Sequence, residues 1–356
     1  MKHRGSALII LVALAIGTLA ACAAVISYPD PITASSASFA PQTPDTTEVW
    51  TQTSSLPEPL ETQAAAVNNG FLYVMGGLSK GTPTSSVLYA TINPDGTLGP
   101  FQETTPLPYT LYRYLCGVVN NNFIYAIGGI ANGYTTSSVM YAPIQSDGTL
   151  GDWTYTTSLP EPLQLHGTVA NNGYLYVMGG STAPIAEPGY ETAAVSYAKF
   201  NPDGTLGPFA STTELPVADY KTCPVADHGL IFLLGGETPK STSAVWYASP
   251  ARNGSISAWS AATPLTYTDA ATAIVNSNGA IVMMGGDTTG SGGDTSGVVG
   301  GKIGSFGTIR WTLLPPLPKV TSRQSGAAFN GHVYSIGGLS ADVDTSAVYY
   351  MPATPQ

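Results

Sequence analysis

The sequence predicts an all-β chain: six repeated sheets of four antiparallel strands, closed into a ring. Three observations carry that expectation. The stretch Asn68–Gly77, which reads Asn-Asn-Gly-Phe-Leu-Tyr-Val-Met-Gly-Gly, returns at 120–129, 171–180, 227–236, 278–286 and 330–338. Its glycine doublets begin at Gly76, Gly128, Gly179, Gly235, Gly285 and Gly337, so successive units are 52, 51, 56, 50 and 52 residues apart. A second turn, Asp95-Gly96-Thr97-Leu98-Gly99, follows the first doublet and recurs in the same phase. A fixed period near fifty residues marks a repeat architecture in which each unit buries its face against the next.

Each part of the unit has a physical reason. In the first unit Gln63–Val67 leads into Asn69-Gly70, a dipeptide that supplies positive φ at both central positions of a tight hairpin. Phe71–Met75 is aromatic and branched, as a strand buried on both faces requires. The glycine doublet then ends that strand where another backbone comes close or φ turns positive. A polar loop, Leu78–Thr84, precedes a third strand over Ser86–Ile92. The Asp-Gly turn follows, then a fourth strand over Phe101–Thr104, and Leu107-Pro108 closes the unit. That turn recurs at Asp147–Gly151 and Asp203–Gly207, more loosely at Asn253–Ile256, and without its acid at Phe306–Ile309. One carboxylate per turn is too few for calcium, so these are hairpins and no metal site is expected there.

Strand, hairpin, strand, Gly-Gly, then Val-x-Tyr (Val87-Leu88-Tyr89, Val139-Met140-Tyr141) and an aromatic in the last strand resemble the kelch repeat. The resemblance covers residues 48–351 and implies a six-bladed kelch-type β-propeller with four-stranded antiparallel blades. Two departures stand out: Gly300 replaces the tyrosine in repeat five, and the arginine that often opens the first kelch strand survives only near Arg113 and Arg323.

The phase of the repeat predicts how the ring closes. Glu48–Leu56, with Trp50 and Leu56-Pro57, matches only a fourth, outermost strand. Gly326–Ala328, Val333–Ile336 and Ala347–Met351 supply only the first three. The last blade is therefore expected to be composite, closed by the N-terminal strand, which removes an open sheet edge.

Residues 1–22 read as a signal peptide: Lys2, His3 and Arg4 precede an apolar core over Ala7–Ala20. Leu19-Ala20-Ala21-Cys22 resembles a bacterial lipobox, which implies a lipid on Cys22 and attachment to the cell envelope, facing the periplasm or exterior. Ala21-Cys22-Ala23 also fits an ordinary cleavage site, and Ser6–Ile26 is just long enough to remain as a single anchor. Residues 23–47, rich in Pro, Ser and Thr, read as a disordered tether, and 48–356 as the propeller.

Twelve cations against 22 anions give a net charge of −10, which falls to −12 when Lys2 and Arg4 leave with the leader. That balance argues against a nucleic-acid role or an anionic-membrane surface, leaving membrane contact to the N-terminal lipid or anchor alone. Besides Cys22 there are only Cys116 and Cys223. Both stand where the other repeats have Ala64, Gly167, Ala273 and Ser325, so they read as small fillers of an inner layer. Their repeats are not adjacent, and a disulfide between them looks too long to close.

In kelch propellers the first strand lines the axis, and the loops entering it surround the mouth of a channel. That resemblance places Glu61, Arg113, His166, Lys221, Asp269 and Arg323 at the mouth, one per blade. Tyr109, Tyr112, Tyr114, Tyr220 and Tyr267 stand on the entering loops, with Glu237 and Asp287 just past their doublets. Scarce cations (Arg113, Lys221, Arg323) beside tyrosines suit a sugar acid or an acidic peptide through charge-assisted bonds and stacking.

His166 stands at the opposite end of the inner strand from His228 and His332, so the three should not share a metal. Nothing pairs Cys116 or Cys223 with a copper centre like that of galactose oxidase, and no Ser-His-Asp set, phosphate loop or Cys-His spacing occurs. No cofactor is expected. Two functions remain. One is a surface module binding a carbohydrate or protein at the mouth. The other resembles the bacterial six-bladed kelch mutarotases of sialic acid, with Glu237 or Asp287 assisting proton transfer and Arg113, Lys221 and Arg323 holding the sugar acid.

Overall fold

The computed structural model describes residues 49–353, apart from 113–114, 185–189, 238–239, 268–272, 278 and 289–292. Cys22, Arg113, Tyr114, Asp269 and the segments 1–22 and 23–47 lie outside the described residues. Among the described residues no helix is long and apolar enough to cross a membrane.

The described chain forms six four-stranded antiparallel blades in a propeller. Blade 1 runs inner strand Ala64–Asn68, then Phe71–Met75, Val87–Thr91 and the short outer strand Gln102–Glu103. The inner strands of blades 2 to 6 are Cys116–Asn120, Gly167–Asn171, Cys223–Asp227, Ala273–Ser277 and Ser325–Phe329. Asn69 and Gly70 both take positive φ, 47° and 84°, as the two-residue hairpin requires. At the mouth the expected polar loop after the doublet folds into a small hairpin, Leu78–Ser79 against Thr82–Pro83.

Blade 6 is composite. Thr51 and Gln52 pair with Tyr350 and Tyr349, next to a second strand over His332–Ile336. Thr53 and Leu56 continue the contact by donating backbone N–H groups to Val348 and Ser346, each at 2.9 Å. Trp50 is buried and donates its indole N–H to Pro315 O of blade 5 at 2.8 Å. Trp153, Trp259 and Trp311 make the same outer-strand contact to Thr105, Thr213 and Thr263 of the blades before them. The N-terminal strand thus completes the ring in register.

The core is divided by seam. Six buried clusters form, each spanning two neighbouring blades, the last joining Trp50, Val282 and Met284 to Val333 and Met351. At four seams a fully buried tyrosine crosses to the turn of the next blade. Tyr73, Tyr125, Tyr176 and Tyr334 donate to the carbonyls of Gly148, Gly204, Gly254 and Gly96 at 2.7–2.9 Å. Burial raises all four phenols well above their ordinary range, so they stay protonated donors. Phe232 and Val282 hold this place in blades 4 and 5.

The doublets complete the ring from inside. Gly77 donates its N–H to Leu111 O of blade 2, and Gly338 donates to Leu60 O of blade 1. A Cβ on Gly76 would stand 2.4 Å from that Leu111 oxygen, and φ there is +59°. Both reasons for glycine therefore apply at one position. Cys116 and Cys223 stand in the inner layer and are not joined by a disulfide. Burial pushes the Cys116 thiol up to about 11, and its Sγ donates to His166 O.

Candidate functional site

At the mouth the chain enters blades 1, 3, 4 and 6 through the same three-residue step. Glu61, Gln164, Tyr220 and Ser322 form single bridges to Leu78, Ser181, Glu237 and Leu339, the residues just past the doublets. The next residue turns left-handed: Thr62, Leu165, Lys221 and Arg323 have φ of 55–58°. Such a conformation is unfavourable for these residue types, and backbone bonds around the ring hold it. Thr62 donates to Arg323 O, and Lys221 to Leu165 O. The third residue passes beneath the doublet and is buried: Gln63, His166, Thr222 and Gln324.

The expected mouth residues therefore do not share one register. Lys221 and Arg323 occupy the left-handed step, Glu61 and Tyr220 the one before it, and His166 the one after. Registers differ because a one-residue offset in the loops sends a side chain to the rim or to the interior. His166 is only 2% exposed, pressed against the Gly128 and Gly180 backbones, and burial lowers its pKa to about 4. It is a neutral wall of the channel. Gln63 and Gln324 fill the matching place in blades 1 and 6, donating Nε2 to the Ile336 and Met284 carbonyls of the preceding blades.

The cations at the mouth bring their own carboxylates. Lys221 Nζ lies 2.6 Å from Glu237 Oε2, while Tyr220 Oη donates to Glu237 Oε1 at 2.6 Å. Across the ring Arg323 Nη1 meets Glu61 Oε2 at 3.0 Å. In both pairs the carboxylate is buried and the cation partly open, with Arg323 the more exposed. Desolvation, followed by the bond to Glu237, raises the Tyr220 phenol. Beneath the rim a cavity of about 180 Å³ follows the axis, walled by Gln63, Cys116, His166, Lys221, Cys223 and Gln324 among others.

The repeat pattern did not mark Asp219 as a site residue. It stands where blades 1 to 3 carry Leu60, Leu111 and Leu163, and it is buried beside Glu237. Its Oδ1 accepts the Glu237 N–H at 2.7 Å. Burial outweighs that bond and pushes the carboxyl up to about 8, with the Glu237 charge adding to the rise. Blade 4 thus holds an acid that keeps its proton near neutrality, a second carboxylate, a phenol and an ammonium within one chain of contacts.

Asp287, in the next blade, accepts the Gly293 N–H at 3.0 Å and offers its carbonyl to Ser241. His228 stands on a hairpin turn at the far end, its Nδ1 2.6 Å from Asp227, whose hydrogen bond and then charge raise the imidazole pKa. His332 packs on Tyr350. Among the described residues no three His, Cys, Asp or Glu side chains group as a metal would need.

Comparison with known proteins finds relatives that carry kelch repeats. No family model matches the chain. A Danio rerio protein, Kelch repeat and BTB domain-containing protein 12, is 32% identical over 117 residues, and human Kelch-like protein 34 is 28% identical over 141. These matches cover 32% and 37% of this chain, which spans about a fifth of either relative's length, 18% and 21%. A solved structure, that of YjhT, superposes with a TM-score of 0.66 over 83% of this chain and 95% of its own, at 15% identity. Over about a third of the chain the repeats are similar to those of kelch proteins, and the fold is a six-bladed β-propeller.

In this propeller the mouth can do two kinds of chemistry. Each ion pair offers an acceptor and a donor at one spot, which suits a ligand rich in hydroxyls. Blade 4 can also hold a proton at Asp219, whose buried carboxyl accepts the N–H of Glu237, the residue paired with Lys221.

Proposed function

We propose that the chain is a binding module that takes a carbohydrate or a polar protein loop at the mouth of the propeller. The observation that carries this reading is the pair of ion pairs, Lys221–Glu237 and Arg323–Glu61, set at the channel edge with their cations outward. Tyr220 beside Lys221, its ring centroid 5.3 Å from Nζ, adds an aromatic face. The test is a glycan-array and pull-down screen run with the native chain and with Lys221→Ala/Arg323→Ala. Loss of the captured ligand in the double variant supports the mouth; full retention moves the site elsewhere.

A second reading, mutarotation of a sugar acid resembling N-acetylneuraminate, is favoured by Asp219 alone. A carboxyl that keeps its proton near pH 7, beside the Glu237 that pairs with Lys221, is suited to supply the acid and base that ring opening and closing need. Anomer exchange of N-acetylneuraminate followed by NMR separates the two readings. Acceleration lost in Glu237→Gln supports the enzyme, and no acceleration at micromolar protein removes it.

The reading extends to location: the module is held at the bacterial envelope by a lipid on Cys22. In a bacterial host, Cys22→Ser should abolish incorporation of labelled fatty acid and release the protein from the membrane fraction. Unchanged labelling would refute lipidation at this residue.

A further inference from the structure

Five of the six seams are filled in the same way, and the sixth is not. At five of them a turn glycine of one blade lies against an aromatic ring of the blade before it. Gly148 meets Phe71, Gly204 meets Phe123 and Tyr141, Gly254 meets Tyr174 and Tyr197, Gly307 meets Tyr247, and Gly96 meets His332. A hydroxyl supports each turn: Thr53, Thr104, Thr156, Thr212 and Thr263 accept the N–H of Leu98, Leu150, Leu206, Ile256 and Ile309 at 2.7–2.9 Å.

At the seam between blades 5 and 6 those parts are missing among the described residues. Blade 6 takes its outer strand from the N-terminal side, so no third-to-fourth-strand turn of its own crosses to blade 5. The receiving face has changed with it. Where blade 1 has Phe71, Tyr73 and Tyr89, the same registers of blade 5 hold Ala280, Val282 and Gly300. These residues, with Thr312, Leu314 and Ala353, wall a notch of about 80 Å³.

Its rim is cationic. Lys302 and Arg310 both line the notch and face each other directly across neighbouring strands. Like charges so placed repel, and neither side chain has an anionic partner among the described residues. The chain has 12 cations in all against 22 anions, so two unneutralised ones facing each other are not explained by a general excess.

We propose that this notch is a docking site for an acidic β-turn of a partner polypeptide, an Asp-Gly type turn seated as the chain's own turns are at the other five seams. The small walls make room for the turn backbone, Lys302 and Arg310 hold its carboxylate, and Thr312 offers a hydroxyl. The site is independent of the mouth reading, because it uses a different blade and none of the mouth residues.

The probe is a fluorescently labelled cyclic peptide presenting Asp-Gly-Thr-Leu-Gly as a hairpin turn, titrated into the full chain. In Lys302→Glu/Arg310→Glu repulsion takes the place of two charge-assisted bonds, which should weaken binding by about tenfold or more. Gly300→Tyr should block the notch. Its φ is not in the left-handed region, and the atoms nearest an added Cβ all belong to the movable Leu314 side chain, Cδ1 at 3.0 Å, so the fold should tolerate it. Lys221→Ala should bind as the native chain does. The proposal is overturned by absence of saturable binding, by equal binding of the Asn-Gly-Thr-Leu-Gly peptide, or by unchanged affinity in either notch variant. Thermal unfolding of each variant shows that it is folded before its affinity is read.

Discussion

Removal of residues 48–56 should lower the unfolding midpoint by well over 10 °C. That segment brings Trp50 and Leu56, both nearly fully buried, into two different seam clusters, and supplies the outer strand of blade 6. Truncating a buried Trp costs about 3–5 kcal/mol and a buried Leu about 2–5 kcal/mol. Each kcal/mol shifts the midpoint by roughly 2–4 °C in a domain of about this size. Trp50→Ala should reproduce much of the loss. Trp259→Ala, whose indole bond is exposed, should cost less. A deletion variant that melts with the native chain would mean that the ring is not held closed by its N-terminal strand.

Asp219→Asn should stabilise the protein near pH 8 and leave it almost unchanged near pH 4. The native carboxyl titrates at about 8 against an ordinary 3.8. Between those values the unfolded chain has released a proton that the folded chain keeps, so native stability falls as pH rises through the window. The full shift corresponds to on the order of 6 kcal/mol as an upper figure. His166 works with the opposite sign. Its folded pKa is lowered to about 4 from 6.5, so its contribution to stability rises with pH across that interval. The two oppose each other below pH 6.5, and above it Asp219 acts without that offset. Asparagine keeps an oxygen for the Glu237 N–H, so the hydrogen bond need not be lost. Chemical denaturation at pH 4, 6.5 and 8 checks this, and a native-minus-variant difference flat across that range would contradict it.

A structure more stable without Asp219 would be holding that residue for chemistry. Blades 1, 2 and 3 put leucine there and bury it cheaply, whereas blade 4 buries a carboxyl that accepts the Glu237 N–H and feels the Glu237 charge. This contrast separates the repeat as scaffold from blade 4 as the specialised unit.

Most of the fold was legible because its determinants are local and repeated. The Asn-Gly hairpins, the doublets and the phase of the Asp-Gly turns each act within a few residues, and six copies reinforce one another. The composite blade followed from the same phase. Strand ends moved by a residue or two, and the loop after the first doublet proved to be a hairpin.

The site was less legible, since it depends on register across the step at the mouth. Counting from the doublets placed Glu61, Lys221 and Arg323 near the rim but could not tell them from His166, which one residue's advance turns inward. The pairing of Lys221 with Glu237 and of Arg323 with Glu61 joins residues 16 and 262 positions apart, which repeat spacing alone does not reveal. Asp219 did leave a signal. Leu56-Pro57-x-x-Leu60, Leu107-Pro108-x-x-Leu111 and Leu159-Pro160-x-x-Leu163 become Leu215-Pro216-x-x-Asp219, and Asp269 follows Leu265 at the same interval. An acid in a leucine position marks a place where the repeat has been broken.

The most direct test of that claim is a carbon-detected NMR titration of the Asp219 carboxyl, assigned by comparison with Asp219→Asn. The dry, proton-holding site described above predicts a midpoint near 8 that falls when Glu237 is changed to Gln. A midpoint near 4, indifferent to Glu237, would show a solvated carboxyl and contradict the account of blade 4.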